Sequence, residues 1–320
     1  MKIRLGYVAI SNKLGKKVTS SSTVTFSNYK KIISEEAKRE KLLKTTLSNL
    51  NDLTTILKYN IENNIHFYRI TSALIPLATH PEVNYYGYFE KFSKDFNYIG
   101  KLIKNSNMRV DTHPDQFNVI NSTNPKVVES TKINLLNHVQ IFEKIHYDEG
   151  KMVIHVGGGA GGKEAGLQRF IDNFRTYPQC IKEKLIVEND DKIYTAKEVL
   201  ELCNTLNIPM VLDVHHHNCN NENKSLEDLV EDIFNTWNET SLVPKIHFSS
   251  PREFTNDRKH ADYIDAKEFV KFIDMVKGIN RDFDVMLECK EKDLALYKLS
   301  EEIKIMKPEY EWLDISSFIV

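Results

Sequence analysis

Histidine, aspartate and glutamate recur at the ends of short apolar runs along this chain. The runs end in Asp111-Thr112-His113-Pro114-Asp115-Gln116-Phe117, His155-Val156-Gly157-Gly158-Gly159, Glu188-Asn189-Asp190, Asp213-Val214-His215-His216-His217, Lys245-Ile246-His247 and Glu288, with His260 nearby in sequence. Ionisable groups are costly to bury unless they are paired or bound to a metal. A single such histidine would read most simply as a structural hydrogen-bonding group; the repetition points to a metal centre. Imidazole and carboxylate donors with no cysteine among them suit Zn, Mn or Fe better than Cu(I) or a thiolate cluster. One ion takes about three or four protein ligands. The candidates are His113, His155, Glu188, Asp213, His216, His247, His260 and Glu288, a surplus that implies two or three divalent ions, with a carboxylate such as Glu188 bridging. Strand alternation puts His215 on the same face as Asp213, which makes His215 a rival to His216, and His217 is ambiguous beside them. His66, His138 and His146 read as structural or surface residues. Paired metals stabilise the attacking and leaving oxygens of a phosphoryl displacement, which points to phosphodiester hydrolysis. A metal-dependent sugar isomerase or epimerase is the competing chemistry.

These groups need a scaffold that brings successive strand ends together. Eight β-branched apolar segments qualify: Ile3–Ile10, His66–Ile70, Met108–Thr112, Met152–His155, Leu185–Glu188, Met210–Val214, Lys245–Phe248 and Val285–Glu288. Helical periodicity fills the intervals, over Ser34–Tyr59, Phe89–Lys104, Lys126–Tyr147, Lys163–Cys180, Ala196–Leu206, Leu226–Thr236, Ala266–Val276 and Leu294–Ile305. Strands alternating with helices imply parallel pairing through right-handed crossovers. Eight units predict a single α/β domain over 1–320, a (β/α)8 TIM barrel, in preference to an open doubly wound sheet. In such a barrel chemistry gathers at the C-terminal strand ends, where the polar motifs fall.

Composition narrows the setting. The 320 residues are 41% hydrophobic and 28% charged, enough for a full core, and the net charge of −2 excludes a polybasic tail while leaving room for a local basic groove. The four cysteines form no C-x-x-C pair, which predicts a reducing, cytoplasmic setting. No apolar run is long enough to span a bilayer, and the N-terminus has no signal-peptide pattern, so no membrane partner is expected. The run Gly157–Lys163 lacks the G-x-x-x-x-G-K-[ST] pattern because Glu164 follows Lys163, so no nucleotide cofactor is expected; its backbone could still approach a phosphodiester.

The ordered motifs resemble the UV damage endonucleases, DNA-repair enzymes related to endonuclease IV. The resemblance rests on Arg4-Leu5-Gly6-Tyr7, Tyr68-Arg69-Ile70-Thr71-Ser72, Thr79-His80-Pro81, His113-Pro114-Asp115-Gln116-Phe117, His155-Val156-Gly157-Gly158 and Val187-Glu188-Asn189-Asp190. It continues through Asp213-Val214-His215-His216, Lys245-Ile246-His247, His260-Ala261-Asp262-Tyr263 and Leu287-Glu288. It implies ATP-independent incision of damaged double-stranded DNA immediately 5′ to cyclobutane pyrimidine dimers and 6-4 photoproducts, leaving 3′-hydroxyl and 5′-phosphate ends. Abasic sites are a further expected substrate, an abasic-site endonuclease without photoproduct activity is the alternative reading, and a monomer is expected. Two or three divalent ions are implied, with manganese favoured over Zn, Mg or Co. His113, His155 and Glu188 would hold one ion. Glu188, Asp213, His247 and Glu288 would hold a second, and His216 and His260 would help with a third. Lys245 would be carboxylated, against the plainer reading of a lysine that orients a phosphate. Tyr7 and His80 would line the lesion and phosphate pocket, acting with Glu188 and Lys245 at the reaction centre. Gln116 and Phe117 match the family's duplex-probing pair, where many relatives carry Tyr in place of Phe117. Asn12 or Ser11 would supply a polar contact after the first strand. Lys13, Lys16, Lys17, Lys163, Arg252, Arg258 and Lys259 would meet phosphates, which positions a duplex without reading its sequence.

Overall fold

The computed structural model describes residues 1–320. Eight strands, β1 (Lys2–Val8), β2 (Phe67–Ile70), β3 (Arg109–Thr112), β4 (Lys151–His155), β5 (Leu185–Glu188), β6 (Met210–Asp213), β7 (Lys245–Phe248) and β8 (Phe283–Leu287), pair in parallel in chain order. β1 pairs with β2 through Tyr7 and Tyr68 and with β8 through Leu5 and Val285, so the sheet closes into the expected (β/α)8 barrel. A short C-terminal hairpin, β9 (Glu311–Trp312) and β10 (Ser317–Ile319), adds antiparallel to the start of β1 and was not anticipated. Its segments are too short for alternation to register.

The helices begin where their caps dictate. Ser34 and Asp265 accept backbone N–H groups at the heads of Glu35–Glu62 and Ala266–Val276, and Thr195 with Glu198 forms a reciprocal capping box at Ala196–Leu206. Two expected helices are interrupted. One breaks at Phe92, giving Tyr88–Lys91 and Ser93–Asn105, and the other ends at Thr176, ahead of Pro178 and the short helix Gln179–Lys182.

Alternation along the strands builds the barrel interior in rows. Arg109, Asp111 and His113 share one inward face and reach Asp284, Lys245 and Glu188 respectively across the barrel. On β4, β5 and β6, Val153, Ile186 and Val211, each two residues before an acidic or imidazole strand end, pack with Trp237 in a small apolar cluster. The Trp237 indole N–H donates to Met210 O at 2.7 Å, and Arg109 lies over both the Trp237 and Phe67 rings. Gly6 is required because a Cβ there would sit 2.5 Å from Phe67 O. The interior is therefore a packed plug, half ionic and half apolar, beneath an open mouth.

The histidine expected to be structural on the helix Pro125–Lys144, His138, is buried with its Nδ1 unpartnered, and burial lowers its pKa to about 4. The unfolded chain, with an ordinary value of about 6.5, binds the extra proton between these limits. The contribution is complete above pH about 6.5 and is lost as pH falls toward 4. In urea unfolding, His138→Leu should lose less stability than wild type between pH 6.5 and 4.5; parallel losses would remove His138 from the acid response.

Candidate metal centre

Glu188, at the end of β5, is the hub of the mouth. Its Oε2 lies 3.1 Å from His113 Nε2 and 3.6 Å from His155 Nε2. Its Oε1 lies 2.7 Å from His247 Nδ1 and 3.5 Å from His216 Nδ1. Three groups of donor atoms, each within 4.8 Å of one another, form around this one carboxylate: His113–His155–Glu188, Glu188–Asp213–His216 and Glu188–His247–Glu288. The partition differs from the expected one, since Asp213 falls with His216 and not with His247 and Glu288. His260 joins none of the three groups; its ring stands 5.6 Å from that of His215 and 6.2 Å from that of His216.

Where β6 stops decides which of the three adjacent histidines faces Glu188. Its last residue, Asp213, caps the helix Val214–Cys219, with its carboxylate accepting the His216 N–H at 2.7 Å. From Val214 onward strand alternation no longer applies. A helical turn brings positions 213 and 216 to the same side. His215 is turned into a buried position near Cys219 and His260, and His217 is buried away from the ligand set.

The electrostatics fit a divalent cation. Burial pushes the Glu188 carboxyl up, but His247, His155 and His113 outweigh burial and hold it well below the ordinary carboxylate range. Asp213 goes the other way: burial raises its pKa well above normal, opposed by His216 and reinforced by Glu188 and Glu288. His216 is pushed up to about 9, with Asp213 and Glu188 overcoming burial, so a proton there offsets part of the acidic charge. Burial pushes His247 down to about 4 and lowers His155 and His260, leaving imidazoles in the neutral form that ligates. Asp213 Oδ2 and His155 Nδ1 are buried without hydrogen-bonding partners. Uncompensated acid, neutral imidazole and an orphaned carboxylate oxygen are what a metal would satisfy.

Two supporting residues were missed in the sequence. Arg69, fully enclosed on β2, donates Nη1 to Glu288 Oε1 at 2.6 Å and Nη2 to His247 Nε2 at 2.5 Å, and its Nε is 3.5 Å from Asp111 Oδ1. With Arg69 donating to Nε2, His247 carries its proton on Nδ1 and donates it to Glu188 Oε1 at 2.7 Å, while Arg69 also anchors the Glu288 carboxylate. Asp111 is ion-paired with Lys245 beneath the donors. The Lys245 ammonium is wholly buried there, and burial lowers its pKa to about 8. The inward parity of residues 109, 111 and 113 could have flagged Asp111.

Other expected site residues separate cleanly. Tyr7 does not line the mouth. Arg4, Gly6 and Val8 take the inward parity of β1, so Tyr7 points outward into the core and donates to Asn60 Oδ1 at 2.6 Å. Asn12 spends its side-chain donors on Lys290 O and Glu291 Oε2, and Ser11 bonds to Asp293, so neither is a free polar contact. Lys163 is held by Glu198 and Glu222. The glycine run is pinned, with Gly158 N donating to Asn121 Oδ1 at 3.1 Å and Gly157 at φ +109°, where a Cβ would strike the Asn121 side chain. His80 stacks on Phe26 at 3.8 Å and lines a cleft of about 420 Å³ with Asp115, Phe117 and Asn118. Gln116 and Phe117 are exposed in a tight turn in which Asp115 accepts the N–H groups of Phe117 and Asn118. Arg252 and Lys259 are exposed, and Arg258 is 3.4 Å from Asp191.

Fold and site together define a (β/α)8 barrel with a shared-carboxylate, His-rich centre of metal-binding type at its open C-terminal mouth. The family model described as UV-endonuclease UvdE matches residues 3–312. The UV DNA damage endonucleases of Bacillus mycoides (strain KBAB4) and Bacillus pumilus (strain SAFR-032) are each 40% identical over 309 residues, covering 96% of this chain and 96% of each relative. The crystal structure of SacUVDE superposes with a TM-score of 0.84 at 34% identity, covering 95% of this chain and 99% of the other. This chain belongs to the UvdE family of UV endonucleases. Endonuclease IV from Thermus thermophilus shares the fold, with a TM-score of 0.54 at 13% identity over 79% of this chain and 94% of that one.

Glu188→Gln keeps the shape of the hub and removes its charge. Metal bound per chain, measured by elemental analysis after dialysis, should fall by at least one ion relative to wild type, with incision lost in parallel. Full metal content with near-normal turnover would unseat Glu188 as the shared ligand.

Proposed function

We propose that this enzyme cuts one strand of duplex DNA immediately 5′ to a UV photoproduct, leaving a 3′-hydroxyl and a 5′-phosphate, with divalent metal ions of which manganese is favoured. The observation that carries the proposal is the convergence of three donor groups on Glu188 at a mouth flanked by the exposed Gln116-Phe117 turn. His113, His155 and Glu188 would hold one ion, and the groups containing Asp213 with His216 and His247 with Glu288 would hold others. Bound ions of this kind polarise a phosphodiester and lower the pKa of water.

The protein's own residues supply orientation. Arg69 holds Glu288 and His247 in place, and Lys245 with Asp111 balances charge below them. Carboxylation of Lys245 would set a second anion against Asp111, so that form belongs to a centre already carrying metal charge. Gln116 and Phe117 would enter the duplex at the lesion, the ring stacking where nucleotides are displaced and the amide meeting unpaired bases. His80, in the cleft beside Phe117, would line the same pocket. Arg252, Arg258 and Lys259 would meet the phosphates, in keeping with a lesion-directed enzyme that does not read sequence.

The test is an oligonucleotide duplex carrying one photoproduct, incubated with Mn²⁺ and with chelator, beside matched intact and abasic duplexes. Incision on the 5′ side of the photoproduct, dependent on Mn²⁺ and yielding a polymerase-extendable end, is the expected result. Cleavage of the abasic duplex alone would assign a different nuclease activity, and no cleavage of any duplex would overturn the reading.

The probing role has its own test. Base stacking contributes about 1–3 kcal/mol, so the double change Gln116→Ala, Phe117→Ala should weaken binding to damaged duplex roughly five- to a hundredfold. Binding to intact duplex should change less because phosphate contacts dominate it. Metal content should be unchanged. Undiminished discrimination between damaged and intact duplexes in the variant would place the probe in another loop.

A further inference from the structure

Of the sixteen phenylalanines only Phe117 and Phe254 stand in solvent, 76% and 65% exposed. An isolated exposed apolar side chain needs no explanation by itself. These two, however, both lie in loops at the C-terminal ends of strands, Phe117 after β3 and Phe254 after β7. In the closed ring of eight strands β3 and β7 are four strands apart in either direction, so the two loops face one another across the mouth.

The loop bearing Phe254 is built, not loose. Pro251 and His260 form an antiparallel bridge, Arg252 N donates to Lys259 O at 3.0 Å, and Ala261 N donates to Ser250 O at 2.9 Å. The tip is closed by Asp257 N donating to Phe254 O at 2.8 Å, and Cys219 Sγ lies 3.8 Å from Asn256 O. At the base, the His260 ring adjoins His216, a residue of the metal-type centre. A hairpin rooted beside that centre therefore lifts one aromatic ring into solvent on the substrate side. Arg252 and Lys259, exposed and without ion-pair partners, flank it.

We infer that Phe254 is a second stacking element, which contacts a nucleobase or deoxyribose face of the duplex on the side of the mouth opposite Phe117. Arg252 and Lys259 meet the adjoining phosphates. This inference rests on the DNA-incision reading above. An aromatic tip above two unpaired cations, with Glu253 the one exposed acid beside it, matches the mixed chemistry of nucleic acid, π-faces within a polyanion, better than the apolar surface of a protein partner. With contacts on both sides of the mouth, a duplex would be gripped across the metal centre, not along one rim.

The experiment compares wild type, Phe254→Ala, Phe254→Trp and the double variant Arg252→Ala, Lys259→Ala for affinity to a photoproduct duplex over a range of salt concentrations. Phe254→Ala should bind about five- to a hundredfold more weakly, with an unchanged salt slope, metal content and thermal midpoint; Phe254→Trp should restore affinity. The double variant should instead reduce the magnitude of the salt slope by about one to two, the mark of lost phosphate contacts. Combining Phe254→Ala with Phe117→Ala should multiply the two losses, as independent contacts on opposite rims do. If wild type discriminates damaged duplex and Phe254→Ala binds it equally well, the second stacking element is overturned and the DNA reading stands. If wild type neither binds nor cuts damaged duplex, the underlying reading fails instead.

Discussion

Negative charge buried in one barrel is the constraint that organises this molecule. Asp284, Asp111, Glu188, Asp213 and Glu288 all project inward, and the fixed cations that meet them are Arg4, Arg109, Lys245 and Arg69. In the lower rows the cations outnumber the acids. Asp284 is shared by Arg4 and Arg109, and Asp111 by Lys245 and Arg69. In the top row the balance reverses, because Arg69 is the one fixed cation that reaches it, and three carboxylates remain among histidines. Isolated buried ions are expensive, so such a row persists only with protons or metal ions among its donors. The raised pKa of Asp213 and the proton drawn to His216 register that shortage in the protein alone.

The ionic rows also give the centre its rigidity. Each member of the three donor groups sits at or just past a strand end or on the first turn of a helix capped by another donor, as His216 does over Asp213. His155, Glu188 and Asp213 each follow by two residues a member of the packed Val153–Ile186–Val211–Trp237 cluster. Arg69 links two rows by touching Asp111 below and His247 and Glu288 above at once. The loops above are free to differ because the donors do not depend on them. The exposed turn at Gln116-Phe117 and the hairpin at Phe254 occupy that freedom, and both present aromatic rings where a stacked polyanion would arrive.

The sequence by itself determined the alternation of eight strands and helices and the presence of ionisable groups at the strand ends. It also determined the donor types: imidazole and carboxylate, with cysteine absent from the ligand positions. These are local properties. Period-two patterning and caps such as Thr195 with Glu198 are written within a few residues of one another. Two expectations failed even at that range. Tyr7 lies on the outward parity of β1, which Arg4 and Gly6 already imply, and the alternation used for His215 stopped applying at Val214, where the chain becomes helical.

Tertiary structure alone decided how the donors divide into groups and what supports them. Lys245 and Asp111 are 134 residues apart, and Arg69 and His247 are 178 apart, so no local pattern pairs them. The grouping of Asp213 with His216, and the facing of Phe117 and Phe254, follow from closure of the ring and from the point at which β6 ends. A strand's alternation says which side chains turn inward. Only the packed barrel says which of them meet, because that depends on the register and curvature of strands brought together from distant parts of the chain.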